Sequence, residues 1–153
     1  MTTYFPEVRR TIRYEGPDTD NPLAFTRYNP TARVGGKTMA EHLKFAVCYW
    51  HTFKGTGSDP FGGGVVERPW STGHGAMDTA RRTLDASFEF ISKLGIRYWC
   101  FHDRDIAPEG ATITESNRNL AAIVEHAKAL QKATGVKLLW GTANLFSHPR
   151  YSH

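Results

Sequence analysis

His102 and Asp105 are the residues in this chain whose types and spacing most directly suggest chemistry. They lie in Phe101-His102-Asp103-Arg104-Asp105, which sets an imidazole at the end of an apolar run and a carboxylate three residues later. Imidazole exchanges protons near neutrality, and a carboxylate within reach fixes which ring nitrogen carries the proton. The pair could therefore do acid or base work on a hydroxyl or ring oxygen, Asp105 orienting His102 as the third member of a triad orients its base. The same spacing also serves a purely structural hydrogen bond, so the surrounding elements must decide between the two.

Those elements alternate. Phe45 to Trp50 is a continuous apolar run of strand length, Ile96 to His102 makes a second strand, and Val136 to Thr142 makes a third. Between the first two, Met77, Ala80, Leu84, Phe88 and Ile91 recur at helical spacing, with Asp78 in the first turn and Gly95 as a stop. Between the second and third, Thr112 and Glu115 have capping-box spacing. The helix they open has an apolar face of Leu120, Ile123, Val124, Ala127 and Leu130 and ends at Gly135. The order strand, helix, strand, helix, strand over residues 44–153 predicts an α/β fold with a parallel sheet and its ligand site at the strands' carboxyl ends.

Period-two counting then assigns faces. Ala46, Cys48 and Trp50 share one, Ile96, Tyr98, Cys100 and His102 share one, and Val136, Leu138, Trp140 and Thr142 share one. If these are the same face of the sheet, Trp50, His102, Trp140 and Thr142 converge. Two tryptophans beside an imidazole would present flat apolar walls with a few polar groups, as a sugar ring requires, although core packing is the alternative for each tryptophan alone. By the same count His51 points to the opposite face and reads as structural.

The remaining segments lack this periodicity. Residues 1–36, with four prolines between positions 4 and 36, read as an irregular arm, followed by a short helical turn capped by Thr38 and Glu41. Residues 54–75 are rich in glycine and form a long loop. Gly62-Gly63-Gly64 lacks the Lys-Ser/Thr of a phosphate loop, so its glycines permit a projection that carries Phe61 outward toward a ligand or another subunit.

Composition narrows the class further. At 153 residues with 40% hydrophobic content the chain has the length and apolar supply of one domain. Its 19 basic residues are scattered rather than clustered, which argues against nucleic acid as a partner. Asp103 reads as a turn residue or a cap. The seven histidines show no paired metal-ligand spacing, and His102 with Asp103 and Asp105 offers too few ligands, so no metal site is expected from these residues. Cys48 and Cys100 sit in apolar runs and read as buried free thiols, which fits a cytoplasmic setting. No stretch has membrane-span length, and Met1 to Arg10 is too charged for a signal peptide.

Three motifs together resemble the amino-terminal portion of the longer-chain xylose isomerases. They are Trp50-His51-Thr52-Phe53 with Gly57-Ser58-Asp59-Pro60-Phe61-Gly62, then Phe101-His102-Asp103-Arg104-Asp105 with Pro108-Glu109-Gly110, then Leu139-Trp140-Gly141-Thr142-Ala143-Asn144 with Pro149-Arg150-Tyr151. The resemblance implies a partial (β/α)8 TIM barrel, of which residues 1–153 would be a single incomplete segment with three strands and two main helices. It implies interconversion of D-xylose and D-xylulose in a homo-oligomer, a tetramer in the family, with two divalent cations (Mg, Mn or Co). His102 would match the histidine that assists ring opening, Asp105 the carboxylate that orients it, and Trp50 and Trp140 the pocket walls. Thr142 would lie beside the substrate, and Phe61 would match an aromatic that enters a neighbouring subunit's site.

The resemblance also implies that the metal ligands and catalytic lysine of the family fall outside these residues. A closed barrel takes about 250 residues, and three strands leave two unpaired edges. The chain is therefore expected to work with a carboxyl-terminal barrel portion or with other copies of itself. A non-catalytic assembly module is the alternative reading.

Overall fold

The computed structural model describes residues 3–145. The arm is more ordered than its prolines suggest. Strands β1 (Arg33–Val34) and β2 (Lys37–Thr38) pair as a hairpin, its two-residue turn made by Gly35 and Gly36 at φ 55° and 83°. Positive φ at both turn positions suits the twist of a tight hairpin and favours glycine. Helix α1 (Met39–His42) follows with the expected capping box, in which Thr38 and Glu41 satisfy each other's backbone N–H groups.

A three-stranded parallel sheet carries the rest, in the order β3 (Ala46–Cys48), β4 (Tyr98–His102), β5 (Lys137–Thr142). Helix α2 (Ala76–Leu94) joins the first pair. One-turn helix α3 (Asp103–Ile106) and helix α4 (Ile113–Thr134) join the second. Alternation of strand and helix therefore produced a parallel α/β unit.

Both long helices end as their glycines predict, Gly95 at φ 71° and Gly135 at φ 75°. Their starts differ. Gly75 offers α2 no side-chain cap, and Asp78 instead accepts the His74 N–H at 3.0 Å. At α4 the Thr112 hydroxyl accepts the Glu115 N–H, but the Glu115 carboxylate turns to the Ala111 N–H at 2.9 Å, so only half of the expected capping box forms.

One face of the sheet packs against α2 and α4. Val47, Tyr49 and Trp99 meet Leu84, Phe88 and Ile91 of α2 and Ile123, Ala127 and Leu130 of α4, all buried. The Phe88 and Trp99 rings meet edge to face at 5.1 Å. Each Val, Leu, Ile and Phe side chain here contributes about 1.5–3 kcal/mol on leaving water, which makes this layer the principal source of stability. His126 Nε2 and Asp85 Oδ1, 2.7 Å apart, bridge the two helices at the rim. Among the described residues no helix is long and apolar enough to cross a membrane.

Two expectations about the strands need correction. Strand geometry ends at Cys48: Tyr49 is already helical (φ −59°, ψ −45°), and Trp50–Lys54 form a π-helical turn. His51 is therefore not on the opposite face of a strand. It is exposed in the same turn as Trp50, and their rings lie 5.4 Å apart. In β5, Trp99 is in register with Leu138 but Cys100 with Trp140, so Leu139 is an inserted residue. This bulge breaks the single face expected from Val136 to Thr142.

The loop between β3 and α2 is tied down at Trp70, a residue whose burial was not anticipated. Pro69–Ser71 form a short 3-10 turn, and the Trp70 indole N–H donates to the Phe53 carbonyl at 3.2 Å. Tyr4 and Phe5 of the arm pack on the same ring, while their N–H groups donate to the Glu89 carboxylate of α2 at 2.8 and 3.2 Å. Lys93 bonds both Glu89 and the Phe5 carbonyl.

Burial alone would raise the Glu89 carboxyl, but Lys93 and the two amides outweigh it and hold the group below its ordinary 4.5. The stability it contributes is complete above that value and is lost as pH falls through the lower folded value. Acidification should therefore release the arm, read as faster amide exchange at Tyr4 and Phe5. A Glu89→Gln chain should lack this pH-dependent step.

Candidate functional site

Alternation along β4 builds the site. Trp99 points into the helical layer and Phe101 is packed against it, so Cys100 and His102 emerge on the other side of the sheet. At the strand's end the chain enters α3, which returns Asp105 to the imidazole: His102 Nδ1 and Asp105 Oδ2 lie 2.8 Å apart. Both side chains are mostly buried, at 16% and 15% exposure. A carboxylate only accepts, so Nδ1 donates, leaving Nε2 as the ring nitrogen that Asp105 does not engage.

The tryptophans close on this imidazole. Trp50 lies over His102 with ring centroids 4.2 Å apart, Trp140 lies 5.9 Å from His102, and the two indoles are 5.5 Å from each other. Neither arrives by simple alternation. Trp50 is delivered by the π-helical turn, which ends at Gly55, where a side chain would meet the His51 carbonyl at 2.7 Å. Trp140 is delivered by the β5 bulge, which restores it to the face of Cys100.

Thr142 is in register with His102 and exposed beside it, its hydroxyl donating to the Ala143 carbonyl at 3.1 Å. Between them in sequence, Gly141 is required by packing, because a Cβ there would lie 2.9 Å from the Phe101 ring. Phe61 stands apart. It tops a turn between Asp59 and Gly62, is 97% exposed, and has no ring contact with the cluster. The motif Pro149-Arg150-Tyr151 lies outside the described residues.

Asp103 does more than bond within its own turn. Its Oδ1 accepts the Arg104 N–H at 2.8 Å and also the Asn144 N–H at 2.9 Å, joining the carboxyl ends of β4 and β5. An Asp after a strand signals the first bond, but nothing in its spacing signals the second. Tyr49 is a further addition. Its hydroxyl is buried, and burial first, then the Asp105 charge, push its ionisation well above the ordinary range. It therefore stays neutral.

Among the described residues, no group of three or more His, Cys, Asp or Glu side chains could hold a metal ion. The donor set here thus does not fit a pair of divalent cations. A cavity of about 810 Å3 lies between the arm and the amino-terminal ends of β3 and β4, lined by Tyr14, Phe25, Tyr28 and Ile96 among others. Size does not make it the candidate site. It is at the opposite end of the strands from the His102–Asp105 pair.

These features define the class as a parallel α/β protein with its aromatic and titratable cluster at the carboxyl ends of the strands. No protein-family model matches the chain. Over 150 residues, 98% of its length, it is 57% identical to a xylose isomerase of Geobacillus kaustophilus and 52% identical to one of Arabidopsis thaliana, covering 33% and 31% of those proteins. Over 153 residues it is 54% identical to a xylose isomerase of Thermotoga maritima, covering 34% of it. The chain matches an amino-terminal portion of these xylose isomerases and spans about a third of their length.

An Asp103→Ala chain leaves the Arg104 and Asn144 N–H groups without this acceptor, which should cost about 1–3 kcal/mol in urea unfolding. Amide exchange at Asn144 should quicken. Asp103→Asn, which keeps an acceptor oxygen, should recover most of the loss.

Proposed function

We propose that this chain supplies the sugar-binding and ring-opening part of a xylose isomerase site, one that interconverts D-xylose and D-xylulose. The observation that carries the reading is the His102–Asp105 pair, held at 2.8 Å beneath two indole rings. Asp105 fixes the imidazole with Nδ1 protonated. Nε2 then handles the proton that moves between the sugar's anomeric hydroxyl and its ring oxygen as the ring opens. Trp50 and Trp140 hold the apolar faces of the sugar and exclude water, and Thr142 bonds a substrate hydroxyl.

The likeness to xylose isomerases carries the rest. The parallel sheet is the start of a (β/α)8 barrel whose remaining strands come from a carboxyl-terminal portion, and the exposed Leu138 and Leu139 of β5 are what that portion covers. Phe61, on its projection, reaches the site of a neighbouring subunit in a homo-oligomer. Divalent metal dependence belongs to residues other than the described ones, whose own part is binding and proton handling. The two free thiols, Cys48 and Cys100, suit a cytoplasmic enzyme.

Xylose conversion should be assayed with the chain alone and mixed with a separately expressed carboxyl-terminal portion of a related xylose isomerase. Activity is expected on mixing. With His102→Ala it should fall by about 10²–10⁴-fold, with Asp105→Asn by less. A His102→Ala mixture as active as the parent would refute the assignment.

A further inference from the structure

Below the ring cluster, the two cysteines stand side by side. Cys48 and Cys100 are register partners across the parallel β3–β4 pair, both thiols are free, and their Sγ atoms lie 3.7 Å apart. Cys100 precedes His102 by two residues on β4, so the two share a face at a spacing of about 6.6 Å. Neighbouring strands run about 4.8 Å apart, within the roughly 4.4–6.8 Å between Cα atoms that a disulfide accepts. The sulfurs need close only from 3.7 Å to about 2.05 Å.

We propose that Cys48 and Cys100 form an oxidisable dithiol, which a low-molecular-weight disulfide such as oxidised glutathione converts to a cross-strand disulfide in the folded chain. Cys48 is the half-buried member and Cys100 the buried one, at 3% exposure. Cys48, losing its proton, attacks one glutathione sulfur and expels the other as a thiolate. Cys100, losing its proton, then attacks Cys48 Sγ and expels the second glutathione. Two protein thiols are oxidised, one glutathione disulfide is reduced, and the two protons end on two glutathione thiols.

Burial, and then the Cys48 thiol beside it, push the Cys100 thiol up to about 11. Closure by Cys100 therefore quickens as pH rises. The new bond draws β3 and β4 together one strand repeat below the Trp50–His102 contact. This inference does not depend on the reading of the site as an isomerase, since it needs only the register of the two strands and the partial exposure of Cys48.

The whole chain is equilibrated with mixtures of reduced and oxidised glutathione, natively and in concentrated urea, and followed by intact mass and thiol count. The native chain should lose two hydrogens and both thiols, keep no glutathione, and show an equilibrium constant at least about tenfold above that in urea, where strand pairing no longer holds the sulfurs together. Cys100→Ser should stop with one glutathione on Cys48. Persistent thiols, a stable glutathione adduct on the native parent chain, a disulfide-linked dimer, or equal constants in the two conditions would overturn the proposal.

Discussion

Strand β4 pairs in parallel with β3 on one edge and β5 on the other, and its alternation serves both stability and the site. Trp99, 1% exposed, is locked among Tyr49, Phe88 and Phe101. That fixes the strand's rotation, and His102 has no freedom to leave the other face. A slip of one residue would drive the imidazole into the core and Trp99 out of it, exchanging a buried indole for a buried polar ring. Ring geometry at the site is therefore set by the hydrophobic layer beneath it.

The ends of the neighbouring strands adapt to that fixed centre. β3 gives up strand geometry two residues early and β5 takes in one extra residue, and each irregularity brings a tryptophan to the same imidazole. Asp103 then ties the β5 end to the β4 end through the Asn144 N–H. Irregular backbone next to a functional cluster is common because it re-aims side chains that regular pairing would misplace. Local irregularity here is concentrated where the chemistry is.

Much of this was legible in the sequence because its signals are local. Gly95 and Gly135 mark helix ends by their left-handed conformation, Thr112 marks a start, and apolar periodicity separates α2 and α4 from the strands. What was not legible depends on partners distant in the chain. The bulge at Leu139 exists only relative to β4, and the early end of β3 is visible only in the backbone turn at Tyr49. Trp70 is buried because the arm and Phe53 meet it, although its flanking sequence reads as loop. The convergence of Trp50, Trp140 and Thr142 on His102 was expected for a reason that was partly wrong, since strict alternation does not hold on either side of β4.

The account rests on Asp105 holding His102 in one protonation geometry. Long-range 15N NMR of the His102 ring tests that directly, because each ring nitrogen reports whether it carries hydrogen. In the neutral ring, a protonated Nδ1 and an unprotonated Nε2 are predicted. A ring with the proton on Nε2 and a bare Nδ1 facing the carboxylate would contradict the account.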